Sequence, residues 1–128
     1  MICNIVSNNI KIISSISNES LKQIGILHYD LLKQSLVSKF GMQVIILFYE
    51  FVIKSKTEFL FIKRNDQGEI LGICVVSIDP IKFSKRFLKS HMIKIIYFGI
   101  KNLGLFGFLG LFISKFYKLN NVSVTSLK

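Results

Sequence analysis

The chain has 128 residues, a formal net charge of +10 and a hydrophobic content of 51%. This length is enough for one domain with a core, and so high an apolar content excludes a disordered protein. Of the 17 basic residues, Arg64 and Arg86 are the only arginines, and no basic block contains interleaved aromatic residues. Because base and phosphate recognition favours arginine, the sequence predicts no nucleic-acid partner.

The charge is distributed unevenly along the chain. Asp79 is the last acidic residue, so the stretch from Pro80 to Lys128 combines lysines and one arginine with apolar and polar residues. A segment with such unbalanced charge has two interpretations. Either it meets an anionic surface, or the segment that would balance its charge is missing.

The first predicted elements are a strand and two helices. Ile2 to Ile13 form the predicted strand, and Ser17 to Ser20 supply helix-start residues. The first helix runs from Leu21, and Gly41 closes either that helix or the turn that follows it. The second helix covers Met42 to Lys56. The apolar positions at helical spacing are Ile24, Leu27, Leu31 and Leu32 in the first helix and Ile45, Ile46, Tyr49, Val52 and Ile53 in the second.

A β-hairpin is the most informative feature of the sequence. Phe59 to Ile62 and Ile70 to Ile78 are rich in β-branched and aromatic residues, as strands are. Between them, Asn65 to Gly68 supply residues that tolerate positive φ or bond their own backbone. Gly72 interrupts the second strand, where the sequence predicts a bulge or a close approach of another backbone.

A third, amphipathic helix is predicted after Pro80. Its basic face consists of Lys82, Lys85, Arg86 and Lys89, and its apolar face of Ile81, Phe87, Leu88, Met92 and Ile95.

The segment after this helix raises the question of a membrane. The uncharged run from Asn102 to Ser114 is shorter than the roughly 20 residues that span a bilayer. Extending it towards the N-terminus includes Lys101 and Lys94, each of which is costly near the bilayer centre. Packing within a soluble domain is therefore the main interpretation, with an amphipathic segment on anionic lipid and a spanning helix as alternatives.

The cysteines and histidines are isolated in the sequence. Cys3 and Cys74 form no spaced metal or redox motif, which predicts reduced thiols in a cytosolic protein. His28 and His91 lie on or beside apolar stripes, without a second ligand at metal-binding spacing. We therefore predict structural histidines and no metal site.

Several runs of the sequence, taken in order, have counterparts in one known family. They are LHYDLLKQSLVSKFG (Leu27 to Gly41), FYEFVIKS (Phe48 to Ser55), the hairpin from Phe59 to Pro80, and KFSKRFLKSHMIKII (Lys82 to Ile96). In this order they resemble the first helix with its loop, the second helix and the central hairpin of the GNAT family of N-acetyltransferases, followed by an insertion found in some bacterial members. The resemblance implies an α/β (α+β) fold, with residues 1–128 forming one incomplete GNAT-like domain.

The resemblance ends at a predicted strand. Val122 to Leu127 looks like the family strand that leads into an Arg/Gln-x-x-Gly-x-Gly/Ala loop, whose N–H groups and following helix hold the pyrophosphate of acetyl-CoA. That loop, its helix and the later strands with the usual general acid are absent from this sequence. The implied cofactor is acetyl-CoA, but we expect the chain alone to be a shortened domain that neither binds it nor transfers its acetyl group.

The resemblance also implies a site on the acceptor side. Ser38, Lys39, Phe40 and Gly41 form the loop that would line this side, and a plain helix–helix turn is the alternative interpretation. The implied reaction transfers an acetyl group to a primary amine of an amino sugar, a small molecule or a protein. No catalytic residue is assigned in this chain.

Two other functions stay open. One is a small membrane-associated protein that uses the basic helix and the Phe/Leu/Gly segment as an anchor. The other is a noncatalytic module whose open sheet edge pairs with a strand from a second polypeptide. Polar residues interrupt the apolar residues at the start of the chain, so no cleavable signal is predicted there. The predicted location is cytoplasmic, with peripheral membrane contact as the alternative.

Overall fold

A computed structural model describes the backbone of residues 10–125 and the side chains of residues 10–114. This part of the chain mixes helix and sheet, which confirms the α+β class. Its elements are β1 (Ile10–Ile13), α1 (Asn18–Leu31), α2 (Leu36–Lys39), α3 (Met42–Lys54), β2 (Glu58–Arg64), β3 (Ile70–Ser77) and α4 (Pro80–Thr125).

The three strands form one antiparallel sheet in the order β1-β2-β3. Strand β1 contains the last four residues of the predicted strand Ile2 to Ile13, whose earlier part lies outside the described residues. The predicted hairpin is confirmed as β2 and β3. Helices α1, α2 and α3 all lie in the connection between β1 and β2.

The hairpin turn and its bulge follow the local sequence closely. The Gly68 N–H donates to the Asn65 carbonyl at 3.0 Å, and Gly68 has a φ of +84°, which a residue without a Cβ adopts at little cost. The pairing register shifts at Leu71, which becomes the extra residue of a bulge beside Gly72. The bulge predicted at this glycine is therefore confirmed to within one residue.

Serine caps divide the first helical region into two helices. The Oγ atoms of Ser17 and Ser35 each accept a hydrogen bond from the N–H three residues later, at 3.2 and 3.1 Å. Of the two predicted roles of Gly41, it closes the turn after the first helix rather than the helix itself, because α1 ends at Leu31 and the Ser35 cap starts a separate one-turn helix. Helix α3 ends at Lys54, two residues before the predicted end.

Helices α1 and α3 pack on one face of the sheet. Ile24 of α1 and Ile45 of α3 are fully buried against Leu60 and Ile62 of β2. The full cluster contains Leu21, Ile24, Ile45, Tyr49, Val52, Leu60, Ile62 and Phe83.

The predicted apolar faces of α1 and α3 are corrected in part. Leu31 and Leu32 are exposed, because α1 ends at Leu31 and the chain turns away from the core there. His28 takes the buried position instead, one turn after Ile24. In α3, Val44 is buried although it lies outside the predicted face.

A second cluster joins α3 to α4 through aromatic rings. Phe48 and Phe51 of α3 contact Phe83 and Phe87 of α4, with ring centroids 5.5 to 5.6 Å apart. The two pairs of Phe48 meet edge to face, a geometry that aromatic pairs favour, and the two pairs of Phe51 are tilted. The predicted apolar face of α4 is thus partly wrong. Phe83, Phe87 and Ile95 are buried, whereas Ile81, Leu88 and Met92 are exposed.

A buried carboxylate also ties the hairpin to α4. The Glu58 side chain is fully buried, and Arg86 Nη2 lies 3.1 Å from its Oε2 atom. Hydroxyl groups of Ser55, Thr57 and Ser77 donate to the same carboxylate. Burial by itself raises the pKa of Glu58, but the three hydroxyl donors and the guanidinium outweigh it and hold the pKa below its ordinary value.

Helix α4 is broken twice. His91 (φ −123°, ψ 16°) and Gly104 (φ 72°, ψ 164°) both leave the helical region. A Cβ atom on Gly99 would lie 2.7 Å from the Phe108 ring. In a continuous helix nine residues rise about 14 Å, so the chain must turn back at Gly104 to bring this ring to Gly99.

The predicted strand at Val122 to Leu127 is wrong as far as the structure describes it. The backbone is helical through Thr125, and the last two residues of that prediction lie outside the described part. A helix satisfies its backbone hydrogen bonds within one segment, whereas a strand needs a neighbour. The described sheet places no strand beside this segment.

The second face of the sheet is apolar and uncovered by described residues. Ile12, Phe59 and Val76 are all exposed there, and Cys74 is exposed between them as a free thiol. A sheet face of this composition normally packs against another layer.

We predict that Glu58→Gln lowers the free energy of unfolding by about 1–3 kcal/mol at pH 7, because a neutral amide replaces the acceptor of charge-assisted hydrogen bonds. The folded pKa of Glu58 lies below its ordinary value of 4.5. Its stabilisation is therefore present above that pH and is lost as the pH falls through the folded pKa. Urea unfolding at pH 7 and pH 3 tests both points. Equal differences between wild type and variant at the two pH values would contradict this role of the carboxylate.

Candidate functional site

The polar groups nearest the predicted acceptor loop lie where α1, α2 and α3 meet. His28 of α1 and Tyr49 of α3 each follow a fully buried isoleucine by one helical turn, which places both on core-facing sides. Ser35 and Ser38 come from the N-cap and the body of α2. Four side chains from three helices thus meet at one point.

These side chains form a continuous hydrogen-bonded chain, which we call the His28 cluster. Tyr49 Oη lies 2.7 Å from His28 Nδ1, and Ser35 Oγ lies 3.2 Å from His28 Nε2. Ser35 Oγ then donates to Ser38 Oγ at 2.9 Å and accepts from the Ser38 N–H at 3.1 Å. Because the Ser35 hydroxyl donates its proton to Ser38, it can only accept a hydrogen bond from His28. The tautomer of His28 that fits therefore carries its proton on Nε2 and donates it to Ser35, while Nδ1 accepts a hydrogen bond from the Tyr49 hydroxyl.

The charge states of the cluster agree with this assignment. Burial lowers the pKa of His28 below its ordinary value of 6.5, so the ring is neutral at pH 7. Burial also raises the pKa of Tyr49, so its hydroxyl keeps the proton that it donates. The hydrogen bonds of the His28 cluster therefore join uncharged side chains at pH 7.

This arrangement holds helices together rather than activating a nucleophile. Ser35 Oγ is the N-cap of α2 and donates its proton to Ser38, so His28 is not its proton acceptor. Both ring nitrogens of His28 have partners, which confirms the predicted structural role of this histidine. His91 differs, because its buried Nδ1 has no hydrogen-bond partner among the described residues, and its ring packs against Phe51 and Phe87.

The structure places the four predicted site residues at the end of α2 and its junction with α3. Ser38 and Lys39 belong to α2, Phe40 is its C-cap, and Gly41 is the N-cap of α3. Half of the predicted loop is therefore helical, and Phe40 and Gly41 form the helix–helix turn of the alternative interpretation. Ser38 is buried within the His28 cluster, whereas Lys39, Phe40 and Gly41 are half-buried.

Helix α4 also reaches this junction, which the sequence did not predict. Asn102 Nδ2 donates to the carbonyl of Phe40 at 2.9 Å and to that of Phe98 at 2.8 Å. The Phe108 ring lies 5.9 Å from the Phe40 ring. Asn102 is separated from Phe40 by 62 residues, and no local pattern marks it as a contact residue.

Two shallow grooves lie away from the His28 cluster. One, of about 240 Å³, lies at the turn end of the hairpin and includes Arg64, Asp66 and Lys11. The other, of about 510 Å³ and mostly apolar, runs between α3 and α4 past Glu50 and Tyr97. Within residues 10–114, no group of three or more His, Cys, Asp or Glu residues is placed to hold a metal ion.

No protein-family model matches this chain, and no curated protein or solved structure is significantly similar to it.

The buried position of His28 generates a pH prediction. Since its folded pKa is depressed, the unfolded chain takes up a proton first as the pH falls below 6.5, and folding stability declines through that range. We expect wild type to lose stability between pH 8 and pH 5, and His28→Gln to lose much less. The loss due to Glu58 begins only below its ordinary pKa of 4.5, so the two effects separate.

Urea unfolding across this pH range measures the effect. His91→Gln is the matched control, and it should keep the wild-type decline because His28 is unchanged. A His28→Gln variant with the full wild-type decline would show that another group is responsible.

Gly41 gives a second prediction at the junction. Its φ is +101°, and an added Cβ would lie 2.6 Å from Asn102 Nδ2, which is held by two carbonyl groups. Gly41→Ala should therefore destabilise the protein by about 1–3 kcal/mol.

The control for Gly41→Ala is Gly110→Ala. Gly110 lies in α4 with no atom within 4 Å of its Cβ position, so this change should be neutral or stabilising by up to about 1 kcal/mol. Thermal unfolding compares the two variants. If Gly41→Ala were as stable as wild type, Asn102 and the backbone at Gly41 would be able to move apart at little cost in stability, which would contradict the prediction.

Proposed function

We propose that this chain supplies the acceptor-side part of a GNAT-type N-acetyltransferase, which transfers an acetyl group from acetyl-CoA to a primary amine. The observation that carries the proposal is the arrangement of the elements around the sheet. A strand is followed by helices α1 to α3 and then by the antiparallel hairpin of β2 and β3. The resemblance implies two helices followed by this hairpin, and the structure adds β1 before them and the one-turn helix α2 between them.

The uncovered sheet face supports the same proposal. In the described residues, α1 and α3 cover one face, and exposed Ile12, Phe59 and Val76 lie on the other. The remaining half of a GNAT-type domain would provide strands and helices to cover such a surface. In this proposal those elements come from a continuation of the chain or from a second polypeptide.

The proposed contribution of this chain is restricted to the acceptor side. The sequence contains no Arg/Gln-x-x-Gly-x-Gly/Ala loop, so residues 1–128 do not fit the pyrophosphate of acetyl-CoA. The junction from Ser38 to Gly41 would form one wall of the acceptor site. It is rigid enough for that purpose, because the His28 cluster fixes α2 from inside and Asn102 fixes the Phe40 carbonyl. Lys39 carries the only charge among these residues.

A noncatalytic partner-binding module is the second candidate. The open edge of β3 and the apolar sheet face favour it equally, since a partner could add a strand and cover the face without any reaction. The two candidates differ in whether the completed protein binds acetyl-CoA.

The test begins with the gene and its transcript on both sides of this coding segment. We would express the complete reading frame, or the chain with an adjacent encoded polypeptide, and measure acetyl-CoA binding by calorimetry. Release of the CoA thiol would be followed with an amino sugar, a small amine and a lysine peptide as acceptors. We expect a Gly-x-Gly-type loop in the added sequence and amine-dependent thiol release. A folded complete protein that neither binds acetyl-CoA nor releases CoA would contradict the proposal and favour the partner module.

A matched pair of variants then tests the acceptor wall. Lys39→Ala should raise the KM for the amine severalfold and leave acetyl-CoA binding unchanged, because Lys39 lies at the proposed wall. Lys22→Ala, on an exposed position of α1, should change neither value. If the two variants had equal effects on the KM, the junction from Ser38 to Gly41 would not be part of the acceptor site.

A further inference from the structure

The middle segment of α4, residues 92–103, has an apolar side that faces away from the protein. Ile95, Phe98 and Asn102 face α3 and the α2–α3 junction. Ile93, Ile96, Tyr97 and Ile100 recur at the spacing of one helical face and are all exposed, Ile93 by 85%. In an amphipathic helix that packs on a core, the apolar side faces the core, whereas this apolar side faces away from it. The four residues need an environment other than water or the described core.

Lysines border this apolar face along one side. Lys94 and Lys101 are seven residues apart, on the flank next to Tyr97, and both are exposed. Asp79 is the last acidic residue in the sequence, so α4 carries no residue that could neutralise them. Glu50 of α3 lies across the neighbouring groove and is its only acidic lining residue. An apolar strip edged by lysine, with a tyrosine at the border, is typical of helices that lie in the headgroup region of a bilayer.

The geometry of α4 favours a helix that lies on a membrane over one that crosses it. Pro80–Ser114 is long and apolar enough to cross by length and composition, and only 11% of its most apolar stretch is buried. Within it, every 18-residue stretch with no more than two charged residues includes Gly104. The helix breaks at that residue, and the 12 residues before it rise about 18 Å, short of the roughly 30 Å hydrocarbon core.

A second copy of the chain fits this face poorly. A twofold contact places the same surface of both copies together. The Lys94 and Lys101 pairs would then share one interface, and α4 offers no acidic residue to balance them. Anionic lipid headgroups supply the missing negative charge, and acyl chains supply the apolar contact.

We propose that the α4 membrane face, consisting of Ile93, Ile96, Tyr97 and Ile100 with the flanking Lys94 and Lys101, binds the surface of a bilayer that contains anionic lipids. The helix lies parallel to the bilayer, with the isoleucines below the headgroups, Tyr97 among them and the lysines at the phosphates. The apolar groove between α3 and α4 opens beside Ile93 and Tyr97 and extends the apolar contact inward. This inference does not depend on acetyl transfer.

Vesicle cosedimentation with the full chain tests the proposal. Phosphatidylcholine vesicles are compared with vesicles that also contain phosphatidylglycerol, at low and at high salt. We expect binding to the anionic vesicles that weakens at high salt, and release of the bound protein by alkaline carbonate. Lys94→Glu/Lys101→Glu should weaken binding by about 30-fold or more. Ile93→Ser/Tyr97→Ser should weaken it by about tenfold or more.

Control variants separate this face from general attraction of a basic protein. Lys22→Glu/Lys63→Glu changes the net charge by the same amount at exposed positions on α1 and β2, and Ile81→Ser removes an exposed isoleucine elsewhere on α4. Both should bind nearly as wild type does, and circular dichroism should show all variants folded.

Four results would overturn the proposal. They are no binding to anionic vesicles, equal weakening by the two charge-reversed pairs, retention in the membrane after carbonate extraction, and a stable dimer in light scattering that Ile93→Ser/Tyr97→Ser converts to a monomer. The last result would assign the face to a second copy of the chain.

Discussion

Helix α3 is packed on two sides, and the rest of the fold depends on this. One side presents Ile45, Tyr49 and Val52 to α1 and the sheet, and the other presents Phe48 and Phe51 to the aromatic rings of α4. Burial of each fully buried aliphatic side chain stabilises the fold by about 1.5–3 kcal/mol, and Val44, Ile45 and Val52 all belong to this helix. Without α3, α1 would keep only its contacts with the sheet, and α4 would lose the aromatic rings against which Phe83 and Phe87 pack.

Two buried polar clusters set the positions of the elements around α3 in different ways. The His28 cluster is neutral and joins α1, α2 and α3 through hydroxyl and imidazole groups. The Glu58 carboxylate is ionised and joins the hairpin to α4 through three hydroxyl groups and Arg86. A buried charge with several donors tolerates little displacement, because any lost partner leaves part of the desolvation cost uncompensated. The first turns of α4 are therefore held at the hairpin, whereas the middle segment beyond the break at His91 is positioned by its own contacts, Ile95 with α3 and Asn102 with the Phe40 carbonyl.

Among the uncovered apolar surfaces of the described residues, the outer sheet face and the outward face of α4 have different surroundings. The outer sheet face is flanked by hairpin residues of both charges and, in the described residues, by the unpaired edges of β1 and β3. Such surroundings suit contact with a further layer of protein. The outward face of α4 is bordered by lysines alone, which is the setting of an anionic lipid surface. The acetyltransferase proposal concerns the first surface and the membrane proposal concerns the second.

The sequence by itself determined the elements whose signals are local. The residues Asn65 to Gly68 specified the hairpin turn, Gly72 marked the bulge, and the excess of lysine after Asp79 defined a basic segment. The residues of the resemblance-based site, Ser38 to Gly41, lie at a junction between two helices, with Ser38 and Lys39 in α2 and Phe40 and Gly41 as caps.

Only the tertiary structure decided which apolar residues are buried and which helix ends are real. Phe83 rather than Ile81 enters the core, because the aromatic rings of α3 contact it. The two residues lie on different sides of the helix, and apolar residues on both sides left the sequence without a signal for the buried one. His28 finds Tyr49 and Ser35 only when three helices meet, and Asn102 reaches Phe40 across 62 residues. Helical periodicity gives the direction of a side chain but not the identity of its neighbour. The partners of buried polar groups and the outward turn of an apolar face therefore follow from packing between elements distant in the sequence.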